Sequence, residues 1–133
     1  MSHSPLRVLF VCVENSCRSQ MAEGFARLDF PALFDAHSSG SRPSGVLNPK
    51  AVASMRLVGY NLVHHRSKGL AEVPLVEWDW AITMGCGDEC PNVRARHRAD
   101  WQIPDPKHLD GPAFDAVRDS IRARVAELAR VPR

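Results

Sequence analysis

The chain has 133 residues, enough for one domain with one core. It is 44% hydrophobic and 24% charged, which excludes disorder of the whole chain, and its net charge of +2 is too balanced to suggest a dedicated nucleic-acid binder. No apolar run approaches the roughly 18 residues of a membrane helix, and the polar start Met-Ser-His-Ser-Pro is not a signal peptide, so the chain reads as cytoplasmic.

Val8 to Val13 is an unbroken apolar run rich in β-branched residues. Such a run without alternation predicts a strand covered on both faces, as in a parallel sheet. A tight loop, Asn15 to Ser19, follows, and then Met21, Phe25 and Leu28 at helical spacing. Phe34 to Ser38 predicts a second strand, stopped by Ser39-Gly40-Ser41. Asn48 and Pro49 supply a cap and a first-turn proline for a second helix, with Ala51, Met55 and Val58 on its buried face and Gly59 ending it. Leu70 to Glu77 predicts a short helix broken at Pro74. Trp80 to Met84 predicts a third strand and Asp100 to Ile103 a fourth. From Pro112 onward Phe114, Val117, Ile121, Val125 and Leu128 mark a long final helix. Strands alternating with helices imply right-handed βαβ units. The expected architecture is a single α/β domain over residues 1–133, a three-layer sandwich with a four-stranded parallel sheet flanked by helices.

Cys12, Cys17, Cys86 and Cys90 form two close pairs far apart in sequence. In a reducing compartment that count points to catalysis or metal rather than to structural disulfides. Cys12 ends the first strand, at the edge where open α/β sheets bind ligands. Arg18 follows six positions later, where the first helix begins. A loop between them, comprising Val13, Glu14, Asn15, Ser16 and Cys17, is expected to aim backbone N–H groups inward and to cradle a tetrahedral oxyanion. Arg18 adds a fork of donors. The same positive surroundings favour a Cys12 thiolate, and Ser19 can donate to its sulfur. Asn15 tolerates the left-handed backbone that such a loop needs. Cys86 lies between glycines, on the loop after the third strand. If that strand neighbours the first, Cys86 hangs near Cys12. The C-x3-C spacing of Cys86 and Cys90 falls within that of half a zinc site with His97 as third ligand, but no second close pair follows, and the motif context favours redox over zinc. Arg94, Arg96, His97 and Arg98 read as a solvated basic loop, His64 and His65 as surface residues, and Trp101 as a wall of the pocket.

The stretch Val11 to Glu23, with Asn-Ser-Cys-Arg-Ser-Gln-Met-Ala-Glu at its centre, resembles the signature of thioredoxin-coupled arsenate reductases. These share the fold of low-molecular-weight protein tyrosine phosphatases. Ser38-Ser39-Gly40, Leu47-Asn48-Pro49, Met84 to Pro91 and Asp105-Pro106 match further family segments. The resemblance implies a Cys12 nucleophile, a redox pair Cys86 and Cys90, Asp105 as the acid and thioredoxin as reductant. Arsenate would be reduced to arsenite without a cofactor or bound metal, and without a nucleic-acid or membrane partner. Cys17 reads as a packed residue of the loop. Three departures stand out. Glu14 replaces a glycine found in many members, the redox pair is unusually close, and Lys68 falls near an acid that in some members helps to hold potassium, so no such ion is expected. A phosphatase using Cys12, Arg18 and Asp105 alone is the alternative. It needs no Cys86 or Cys90, and phosphatases of this group carry tyrosines where Lys107 and His108 stand.

Overall fold

The computed structural model describes residues 4–85 and 93–132. The elements run β1 (Leu6–Cys12), α1 (Arg18–Asp29), β2 (Phe34–Gly40), α2 (Pro49–Leu57), β3 (Trp78–Thr83), β4 (Ala95–Asp100) and α3 (Gly111–Ala129), with short 3₁₀ turns between some of them. The sheet has the order β2-β1-β3-β4, and every pairing is parallel.

The unbroken apolar run of β1 takes the centre because both of its faces are covered. Val8, Phe10 and Cys12 face one core with Met21 and Phe25 of α1, Met55 of α2, and Phe114, Ile121 and Val125 of α3. Leu9 and Val11 face the other side with Trp78, under Leu70, Val73 and Val76. Each fully buried Leu, Val or Phe contributes roughly 1.5–3 kcal/mol relative to exposure. The result is the expected three-layer α/β architecture. α2 starts as its sequence predicts: the Asn48 side chain accepts from Lys50 N at 2.8 Å, and Pro49 occupies the first turn. Arg122 of α3 grips Asp29 at the end of α1 with two bonds of 2.8 and 2.7 Å, fixing one helix on the other. Among the described residues no helix is long and apolar enough to cross a membrane.

Five expectations need correction. The fourth strand lies at Ala95–Asp100, not at Asp100 to Ile103, so the basic stretch from Arg94 to Arg98 is mostly strand rather than loop. As an edge strand it half-buries only Ala95 and Ala99, too little to leave an apolar signature. Trp101 and Ile103 are buried just beyond it. Trp101 packs on Phe10, with ring centroids 5.8 Å apart, and walls no pocket around Cys12. The helix expected over Leu70 to Glu77 shrinks to a 3₁₀ turn at Leu70–Glu72, because Pro74 follows too soon for an α-helix to propagate. His65 is not a surface residue: its side chain is only 6% exposed.

Candidate active site

The loop from Cys12 to Arg18 joins β1 to α1, and its backbone is oriented by its surroundings. The carbonyl of Cys12 accepts from Ser41 N, that of Val13 from Arg42 N, and that of Glu14 from Ser44 N. The carbonyl of Asn15 accepts from Gln20 Nε2, that of Ser16 from Asn48 N, and that of Cys17 from Met21 N. In a planar trans peptide the N–H points opposite to the C=O. Carbonyls drawn outward therefore turn the amides of residues 13–18 toward the inside of the loop. α1 adds positive potential there: it begins with no side-chain cap and no acidic residue in its first turn.

Asn15 is the pivot. It is fully buried, and it is the one non-glycine among the described residues with positive φ, at 51°. Its Nδ2 donates to Ser19 Oγ at 2.8 Å, and its Oδ1 accepts from Gln20 Nε2 and from Lys68 N, both at 2.9 Å. Ser19 Oγ lies 2.9 Å from Cys12 Sγ and donates its proton there when the sulfur is a thiolate, which can only accept. The chain of contacts extends outward. His65 Nδ1 lies 2.9 Å from Gln20 Oε1, and His65 Nε2 lies 2.6 Å from Tyr60 Oη. Since the Gln20 oxygen can only accept, His65 donates through Nδ1 and receives from Tyr60 when neutral. Burial lowers the His65 pKa and so favours that neutral form, although Glu23 opposes it. Glu23 is itself buried and accepts from Ser38 Oγ at 2.6 Å and from Arg27 Nε at 2.9 Å, with Lys68 Nζ 3.8 Å away.

Gly40 faces Cys12 in the β1–β2 register. A Cβ built there would lie 2.6 Å from the Val13 carbonyl oxygen and 3.0 Å from Asn15 N. Only glycine lets β2 pass so close beneath the loop.

Arg18 is nearly buried, and its Nη1 donates to the carbonyls of Met84, at 2.6 Å, and Ile103, at 2.9 Å. The ends of two other segments thus hold the guanidinium. Its Nη2 lies 3.9 Å from Asp105 Oδ2. Asp105 is half-exposed, and its Oδ1 caps the following turn by accepting from Lys107 N at 3.0 Å. Both readings of this aspartate, turn cap and cleft acid, therefore fit its position. Cys17 is buried, and burial, followed by the nearby charge of Cys12, pushes its thiol up to about 12. It stays protonated at neutral pH. Cys12, Arg18 and Asp105 come together in one cleft of about 760 Å³, with Arg42 and Lys107 on its rim.

Cys86 and Cys90 lie outside the described residues. The chain leading to them is described. Gly85, with φ 77°, places its Cβ position 3.4 Å from Arg18 Nη1, and its N donates to Asp100 Oδ1 at 3.1 Å. Sequence reasoning gave no role to Gln20 or His65, and noted Lys107 only as a replacement for a tyrosine of the phosphatases. Gln20 could have been suspected from its place beside Ser19; His65 carried no local signal.

The sequence family described as low molecular weight phosphotyrosine protein phosphatase matches residues 7–131. The chain is 37% identical over 129 residues to arsenate reductase 1 of Staphylococcus epidermidis, covering 92% of this chain and 94% of that one. It is 36% identical over 125 residues to the glutaredoxin arsenate reductase of Synechocystis, covering 92% and 95%. The thioredoxin-dependent arsenate reductase of Corynebacterium glutamicum superposes with a TM-score of 0.74 at 27% identity, covering 96% of this chain and 62% of that one. With the loop, the parallel sheet and the match over almost its whole length agreeing, the chain belongs to the low molecular weight phosphotyrosine protein phosphatase family.

Proposed function

We propose that the protein is an arsenate reductase acting in the cytoplasm through Cys12, Cys86 and Cys90. The observation that carries this reading is the ring of outward carbonyls around Cys12, which leaves a cradle of amides for a tetrahedral oxyanion beside a buried sulfur. The similarity to arsenate reductases over nearly the full length supports arsenate as that oxyanion.

The Val13 to Ser19 loop binds arsenate through its amides and Arg18. The donor from Ser19 stabilises negative charge on sulfur. Cys12 thiolate attacks arsenic, and Asp105 protonates the departing oxygen so that it leaves as water. Cys86 thiolate then attacks the Cys12 sulfur. The sulfur–arsenic bond breaks with both electrons passing to arsenic, so arsenite leaves and a Cys12–Cys86 disulfide remains. Cys90 thiolate attacks Cys86, releasing Cys12 thiolate and forming a Cys86–Cys90 disulfide, which an external dithiol reduces. Two electrons reduce arsenic from V to III, and one disulfide accounts for both. The bond from Arg18 to the Met84 carbonyl supports this route, because β3 ends at the same edge of the sheet as the cradle. Thioredoxin is the proposed reductant, as named for the Corynebacterium protein; the Synechocystis relative points to glutaredoxin as the competitor.

The second reading, a phosphatase, rests on the family and on the same cradle. Arsenate-dependent NADPH oxidation, coupled through thioredoxin and its reductase and in parallel through glutathione and glutaredoxin, separates the cases. Wild type should turn over many times, Cys12→Ser should be inactive, and Cys86→Ser and Cys90→Ser should lose multiple turnover. Full turnover in the latter two overturns the relay. Brisk aryl phosphate hydrolysis without arsenate reduction establishes the phosphatase.

A further inference from the structure

Glu14 and Lys107 come from opposite sides of the cleft. Glu14 stands in the anion loop, and Lys107 stands in the turn Pro106–His108 just after Asp105. Lys107 Nζ lies 3.3 Å from Glu14 Oε2, across 93 residues of chain. Both side chains line the cleft that holds Cys12 and Arg18. Their backbones are tied down separately. The Glu14 carbonyl accepts from Ser44 N and from Ser67 Oγ, the latter at 2.8 Å, and the Lys107 carbonyl accepts from Lys50 Nζ at 3.2 Å. Fixed anchors thus present two charged tips to each other over the opening.

This pair is no strut of the fold. Its members are 41% and 53% exposed, and exposed ion pairs add little to stability. A lone carboxylate on the rim of an anion site would repel the very ligand the cradle attracts. Lys107 cancels that charge and at the same time ties the two rims together. An unsubstituted tetrahedral oxyanion presents only oxygens and fits beneath the tie. A monoester of the same acid must carry its organic group out through the mouth, where it meets a charged pair instead of an apolar wall.

We propose that the Glu14–Lys107 pair is a specificity bar that favours unsubstituted oxyanions over their aryl esters in this cleft. The inference rests on the oxyanion cradle of the proposed function, but not on the reduction steps.

The test is equilibrium binding of inorganic phosphate and phenylphosphonate to wild type and to the double variant Glu14→Gln with Lys107→Met. The double variant leaves the net charge of the mouth unchanged. The preference for phosphate over phenylphosphonate should fall by about fivefold, the factor an exposed pair can hold. Raising the ionic strength should erode the preference in wild type and leave it flat in the variant. Glu14→Gln alone should tighten both ligands, and Lys107→Met alone should weaken both. An unchanged preference in a folded double variant that still binds phosphate overturns the bar. Failure of wild type to bind phosphate overturns the cradle and the bar together. Failure of arsenate reduction with normal phosphate binding overturns only the reductase chemistry.

Discussion

Replacing Asn15 tests whether the loop is built as described. The residue holds φ 51°, where an alanine is penalised by about 1–2 kcal/mol and a glycine is not. Its side chain makes three hydrogen bonds, to Ser19 Oγ, Gln20 Nε2 and Lys68 N. Each contributes about 1 kcal/mol net, and each abandoned partner is buried or half-buried. Asn15→Gly should therefore lose about 3 kcal/mol. Asn15→Ala loses the same bonds and adds the left-handed penalty. The greater freedom of glycine in the unfolded chain offsets about 0.4–1 kcal/mol of that difference. The net expectation is that Gly is more stable than Ala by about 1 kcal/mol, the reverse of the usual order. Urea unfolding followed by tryptophan fluorescence, compared at equal m-values, reads the difference. Asn15→Asp adds a functional arm: it keeps the acceptor for Lys68 but turns the donor to Ser19 into an acceptor. The Ser19 proton is then drawn away from Cys12, so alkylation of Cys12 by iodoacetamide at pH 7 should slow. Alanine as stable as glycine, or more so, would refute the account of the loop backbone.

Gly40→Ala should destabilise the fold by roughly 1–3 kcal/mol and weaken phosphate binding, since the new methyl meets the Val13 carbonyl at 2.6 Å and one of the two backbones must move; a variant with wild-type melting and binding contradicts the close approach. His65 gives a pH signature. Burial lowers its native pKa, so the unfolded chain takes up that proton more readily, and this contribution to stability is present above about pH 6.5 and is lost as pH falls toward the lower native value. The drop in urea midpoint between pH 7 and pH 5.5 should shrink in His65→Gln, and an undiminished drop assigns the effect elsewhere.

What the sequence disclosed depended on whether a feature is local. β1 and α3 were legible because burial on two faces, or on one helical stripe, writes a periodic apolar pattern. The candidate loop was legible because its residue types cluster within Cys12 to Ser19. β4 was hidden because an edge strand half-burying two alanines has no such pattern. His65 was hidden because its partner Gln20 lies 45 residues away. The outward carbonyls left no trace because backbone hydrogen bonds carry no residue identity: Ser41, Arg42 and Ser44 donate through N–H groups that nearly any residue would supply. The tie between Glu14 and Lys107 required the two loops to be folded together before it could be noticed.

The basic character of β4 has a consequence for life in a crowded solution. Among the described residues this strand is one of the two margins of the sheet, and a bare margin of amides invites another molecule to add its own strand. Arg96 and Arg98 on this strand stay exposed, Arg96 beside Asp79 and Arg98 donating to the Val93 carbonyl. Charged side chains on an edge strand discourage pairing with another chain, so the stretch first read as a solvated basic loop works against edge-to-edge association.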